Sequence, residues 1–173
     1  IGSQVSVLAE NMGMKVIFYD VEPKLSLGNA SAVKTLDELL RLSDIITLHV
    51  PGLPTTKNII NDARLAKMKK GACLINYSRS DVVDIPAVKK AIETGRLGGF
   101  AVDVFPSEPK SNKDLFVSPL QGLKNVILTP HIGGSTAEAQ ENIGLDVAGK
   151  LISFLETGST TGSLSVPALS LPV

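Results

Sequence analysis

Cysteine is nearly absent from this chain. Its one thiol, Cys73, lies in the apolar run ACLIN, which suits a buried side chain in a reducing compartment and excludes an internal disulfide framework. A cytoplasmic setting is expected. An excess of charge is missing too: 17 Lys and Arg balance 17 Asp and Glu, so no overall field draws the chain to nucleic acid or to an anionic membrane. No apolar stretch approaches the roughly 18 residues of a membrane span, and no basic leader precedes a hydrophobic segment. Residue 1 is Ile rather than Met, and the expectation is that sequence upstream is missing. What is present, 173 residues of which 43% are hydrophobic, suffices for one domain with a substantial core plus a tail.

The apolar pattern alternates between short runs and helical spacing. Residues 15–19, 45–49, 73–77, 100–104 and 126–128 are short, apolar and partly β-branched, and they predict buried parallel strands. Between them, Thr35 with Glu38 three residues on forms a capping box for a helix to Leu42, and Asn61 caps a helix to Met68. Asp84 followed by Ile85-Pro86 opens another helix that Gly95 closes. Ser135 and Glu138 cap the last one, along which Ile143, Val147, Leu151 and Leu155 recur every four residues to about Glu156. The Gly-, Ser-, Thr- and Pro-rich stretch beyond has no helical period and reads as a tail or connector. Residues 1–157 therefore predict one α/β domain with a doubly wound parallel sheet of Rossmann type, and 158–173 a C-terminal tail.

In such a sheet, ligands bind at the carboxyl ends of the strands. Asp20, His49, Arg79, Asp103 and His131 each fall at or just after a predicted strand end. Ile1-Gly2 before a helical segment reads as the last glycine of a phosphate-binding turn, where backbone N–H groups and the helix dipole receive a pyrophosphate. A glycine that only lets a helix pack closely is the plainer alternative. Asp20, about 20 residues further and at a strand end, suits the two ribose hydroxyls and repels a 2′-phosphate, which favours NAD over NADP. This reading calls for no metal.

Arg79 is either a surface arginine or a planar fork that grips a substrate carboxylate. His131, framed by Pro130 and by Gly133 and Gly134 that permit close ligand approach, is either a helix-entry histidine or a proton carrier. Glu108 in DVFPSEP, where it reaches the imidazole, would orient it and favour its protonated form; otherwise it is a solvated loop acid. Together they suit oxidation of a 2-hydroxy acid: hydride to a nicotinamide, hydroxyl proton to His131, carboxylate on Arg79. Asp103 would anchor the nicotinamide carboxamide. His49, Val50 and Pro51 in LHVPG, with Tyr77 and Ser78 before Arg79, would wall the cofactor.

The segments IGSQVSVLAENMGMKVIFYD, TLHVP, VDIPAV, AVDVFPSEP and LTPHIGGSTAEAQENIG resemble the D-2-hydroxyacid dehydrogenases over nearly the whole chain. HIGGSTAEAQENIG and SVPALSLPV point to the branch acting on phosphoglycerate. The resemblance implies NAD-dependent oxidation of 3-phosphoglycerate, with Arg79, Glu108 and His131 catalytic, Asp20 on the adenosine ribose and Asp103 at the nicotinamide. It also implies a homo-oligomer, and a chain lacking the first strand of its sheet and the substrate domain. Departures stand where the family usually reads N-A/C-S/A-R-G: here Tyr77 is bulky, Ser80 replaces glycine, and Asp81 follows. They predict reduced activity where Ser80 needs positive φ or Asp81 competes for the guanidinium. A glyoxylate or hydroxypyruvate reductase, and a non-catalytic NAD-sensing module resembling corepressors, are the alternatives.

Overall fold

The computed structural model describes all residues except 110, 112, 164, 165, 168 and 170–173. It divides into two compact units, Ile1–Pro130 and His131–Val173.

The first unit is built on parallel strands. Strands β3 (Ile45–Leu48), β4 (Ala72–Asn76), β5 (Leu97–Val102) and β6 (Val126–Leu128) pair in sequence order into a four-stranded parallel sheet. Strands β1 (Ile17–Phe18) and β2 (Ser31–Ala32) form a separate parallel pair. The five expected strands are all present. β1 is shorter than the apolar run around it, and β2 was not foreseen because its two residues are exposed and leave no apolar signature. A parallel sheet with helical crossovers is the Rossmann-like arrangement that the alternating pattern predicts.

Caps fix where the helices begin. In α2 (Leu36–Leu42) the Thr35 hydroxyl accepts from the Glu38 N–H at 3.1 Å, while the Glu38 carboxylate reaches back to the Lys34 N–H at 3.0 Å. Asn61 caps α3 (Asp62–Leu65) through the Arg64 N–H. That helix stops at Leu65 rather than Met68, because the Arg96 guanidinium takes the carbonyls of Leu65, Ala66 and Met68 and so satisfies the helix end from outside. Asp84 caps α4 (Ile85–Glu93), and Gly95 beyond it takes φ +67°, the left-handed geometry that closes a helix.

The core lies between the four-stranded sheet and these helices. Phe100, Leu74 and Val102 from the strands meet Leu40, Ile60, Val82 and Val88, all essentially without exposure. Among the described residues the β5–β6 connection carries no helix; it folds through buried Phe105 and Leu120, with the Phe105 and Phe116 rings edge-on at 4.8 Å. Gly98 is a steric requirement: a Cβ there would stand 2.2 Å from the Gly71 carbonyl oxygen.

In the second unit α5 spans Ala137–Thr157. Thr136, one residue later than the expected Ser135, is its cap, its hydroxyl accepting from the Ala139 N–H at 3.1 Å. Gly158 at φ +69° ends it. Within the tail the Thr160 N–H donates to the Leu169 carbonyl at 2.9 Å, and the Thr160 hydroxyl to that of Pro167 at 2.6 Å.

Candidate functional site

The last residues of the four strands stand in one row. Leu48 pairs with Asn76, Asn76 with Val102, and Val102 with Leu128, so the next residues, His49, Tyr77, Asp103 and Thr129, begin a shared carboxyl edge. Hydrogen bonds continue the row past the strands: the Asp103 N–H donates to the Asn76 carbonyl at 3.2 Å and the Thr129 N–H to that of Val102 at 3.1 Å.

Asp103 is oriented by its neighbour, since the Thr129 hydroxyl donates to its Oδ1 at 2.5 Å. That clasp fixes the carboxylate before any ligand arrives, so its entropy of orientation is already lost in the folded chain.

Asn76, fully buried, organises the turn that carries Arg79. Its Oδ1 accepts from the Ser78 N–H at 3.1 Å and the Ser78 hydroxyl at 2.8 Å, and its Nδ2 donates to the Arg79 carbonyl at 3.0 Å. The Arg79 Nη1 donates to the Ser78 carbonyl at 2.7 Å. Tyr77 is 47% exposed rather than packed into a pocket. Ser80 opens a short 3₁₀ turn to Val82 and is not among the positive-φ residues. The backbone here thus makes no demand for glycine, and that reason for expecting a loss of activity falls away.

At the amino-terminal helix α1 (Gly2–Asn11), a Cβ on Gly2 would meet the His49 Cδ2 at 3.3 Å. Glycine lets the helix start close over the end of β3, as a helix that turns its N–H groups toward a phosphate requires. The His49 Nε2 shares a hydrogen bond with the Thr47 hydroxyl at 3.1 Å. Burial holds the His49 pKa below its ordinary value. Val50 packs against the core, and the Pro51 carbonyl accepts from the Thr56 hydroxyl at 2.6 Å.

Asp20, just past β1, borders a cleft of about 270 Å³ with Phe18, Val21, Glu22, Pro23, Lys24, Ala32 and Val33. Its Oδ1 accepts from the Glu22 N–H at 2.9 Å, which fixes the side chain. A carboxylate can accept several further donors, as a ribose diol needs. A larger cleft of about 340 Å³, in the second unit between Leu145, Asp146, Lys150 and Ser159, contains none of the expected residues.

The Glu108 carboxylate accepts from the Phe105 N–H at 2.9 Å across its own loop. His131 opens the second unit and takes φ +50°, a left-handed geometry that is uncommon outside glycine and concentrates at functional positions. Gly133 and Gly134 have no positive φ, and a Cβ on either would meet open space among the described residues; no steric demand for glycine acts there. Asn76 and Thr129 are the positioning residues that sequence reasoning passed over. A polar residue ending a buried apolar strand was the available signal for Asn76; nothing local marked Thr129.

A family model for the D-isomer specific 2-hydroxyacid dehydrogenase NAD-binding domain matches residues 1–133. A D-3-phosphoglycerate dehydrogenase of Haemophilus influenzae is 58% identical over 172 residues, which is 99% of this chain and 42% of that protein. The Escherichia coli K12 protein of the same name is 55% identical over 173 residues, again 42% of its length. This chain thus spans about two fifths of those relatives. Among solved structures, a D-isomer specific 2-hydroxyacid dehydrogenase of Lactobacillus delbrueckii in its NAD complex matches 95% of this chain and 53% of its own, with TM-score 0.80 and 28% identity. A D-lactate dehydrogenase from a Sporolactobacillus species gives TM-score 0.79 at 33% identity, covering 93% of this chain and 51% of that one. With the parallel sheet, the glycine-started helix and the acid after β1 already in place, the chain belongs to the D-isomer specific 2-hydroxyacid dehydrogenases and carries their NAD-binding domain.

Proposed function

We propose that the intact protein oxidises 3-phosphoglycerate to 3-phosphohydroxypyruvate with NAD⁺, the first step of serine biosynthesis. The observation that carries this reading is the in-register carboxyl edge that begins at Tyr77 and Asp103, with Arg79 in the turn braced by Asn76, in a chain 58% identical to a D-3-phosphoglycerate dehydrogenase.

Residues 1–157 form the cofactor domain in this reading and 158–173 its tail. Ile1 and Gly2 hold the pyrophosphate, Asp20 the adenosine ribose, and Asp103 the carboxamide. His49, Val50, Pro51, Tyr77, Ser78, Gly133 and Gly134 line the rest. When bound, NAD⁺ supplies the acceptor for the hydride that leaves the substrate carbon. Arg79 grips the substrate carboxylate with two parallel N–H donors. His131, neutral before the reaction, accepts the hydroxyl proton, and Glu108 orients the ring and favours the imidazolium that forms. The protein acts in the cytoplasm as a homo-oligomer.

Turnover followed by NADH absorbance tests the reading. The intact protein is expected to turn over 3-phosphoglycerate in preference to glycerate or lactate, and His131→Ala to lower kcat by about 10²–10⁴-fold, the usual contribution of a positioned acid–base. Preference for glyoxylate or unphosphorylated hydroxypyruvate would make it a reductase. NADH binding without turnover of any hydroxy acid would make it an NAD-sensing module.

A further inference from the structure

Two loops are laced together beside Arg79. The loop after β3 and the loop after β4 run side by side: the Asn58 N–H donates to the Asp81 carbonyl at 2.8 Å, the Ile60 N–H to that of Val82 at 3.2 Å, and the Asp84 N–H to that of Ile60 at 2.9 Å. Ile60 and Val83 form a parallel bridge. Asn58 accepts φ +49° to make its bond, a conformation that asparagine tolerates better than most residues. The main chain at Asp81 is therefore fixed from outside its own turn.

Its side chain, exposed to solvent, lies over Gly52. A Cβ built on Gly52 would stand 2.9 Å from the Asp81 Oδ1, 3.3 Å from its Oδ2 and 3.4 Å from the Arg79 Cγ. The acid thus occupies the space that a side chain at position 52 would fill, and both it and the arginine stem touch that one glycine. Among the described residues Asp81 makes no ion pair. An unneutralised carboxylate stands beside the stem of the arginine.

We propose that Asp81 is a specificity-determining residue that weakens the hold of Arg79 on anionic substrates, and most on those with a second anionic group. This rests on the reading of Arg79 as the carboxylate clamp. Charges several ångströms apart near a protein surface still interact appreciably, and the interaction grows with the charge of the ligand. Asp81 attracts the guanidinium that the substrate needs and repels the substrate itself. Both effects raise KM. Neither touches the reacting carbon, so kcat is spared.

The test compares the intact protein with its Asp81→Asn and Asp81→Glu variants, using 3-phosphoglycerate and glycerate as substrates and an NADH fluorescence titration for the cofactor. Asp81→Asn is expected to lower KM for 3-phosphoglycerate by about three- to tenfold, the scale of one charge at this range. It should lower KM for glycerate by less, with kcat changed by under about twofold and NADH affinity unchanged. Asp81→Glu, which keeps the charge, should restore most of the parent KM. An unchanged or raised KM in Asp81→Asn overturns the proposal, as does equal relief for both substrates. Arg79→Lys separates the two readings. A raised KM there with no effect of Asp81→Asn sinks only the role of Asp81, whereas an unchanged KM in Arg79→Lys sinks the carboxylate clamp itself.

Discussion

Helices α4 and α5 carry apolar residues at helical spacing, and the structure treats them oppositely. In α4, Ile85, Ala87, Val88 and Ala91 are buried against the sheet. In α5, Ile143, Val147, Leu151 and Leu155 stay 48%, 49%, 58% and 81% exposed, and none of its described residues is buried. Both helices have working caps. The contrast shows that periodicity and capping are enough to make a helix, whereas burial depends on a partner surface that the helix does not encode. α4 is a short crossover returned directly onto its own sheet, whereas α5 belongs to the second compact unit.

The contrast can be broken most severely in the core. Leu74→Ala or Val88→Asp should cost the 173-residue chain about 3–5 kcal/mol, seen as a lower urea midpoint, while Leu151→Ala on α5 should stay within about 0.5 kcal/mol. An equal loss at Leu151 would mean that the α5 stripe is covered in solution. Next in size, Gly98→Ala drives a Cβ into the Gly71 carbonyl and should cost about 2 kcal/mol or more, since neither backbone can yield cheaply. Caps give a smaller and more telling comparison. Asp84→Ala should lower global stability by about 1 kcal/mol, whereas Thr136→Ala should reduce helical circular dichroism with little change in the midpoint.

The smallest expected effect is a pH dependence at the site. The His49 pKa lies below its ordinary value of 6.5, so the unfolded chain binds this proton more readily than the folded one. His49 therefore contributes stability that is present above pH 6.5 and lost as pH falls from there toward its lowered folded value. His49→Gln should flatten the stability profile over that window and leave it unchanged at higher pH.

Much of the edge that carries the candidate site was legible because strand ends and polar residues coincide. Asn76, Arg79 and Asp103 follow or end apolar runs in ways that a reader of the sequence can find. The doubt over Ser80 could not be resolved there, since φ depends on how the turn is pinned, and the buried Asn76 side chain supplies that pinning. The Thr129 clasp on Asp103 was invisible for a related reason: the two residues are 26 apart and meet only through strand register. Likewise nothing local marks Gly52, since it is the lacing of two loops that sets Asp81 against it.

By itself the sequence determined five of the strands, the helices that follow them, the caps Thr35, Asn61 and Asp84, and the residue types available to a hydroxyacid dehydrogenase domain, because these follow from local sterics, hydrogen bonding and apolar spacing. Only the tertiary structure decided which apolar faces became core, where Asp103 and Arg79 were braced, and that an acid stands beside the arginine. Those outcomes depend on surfaces brought together from distant parts of the chain, and no local pattern records the distance between them.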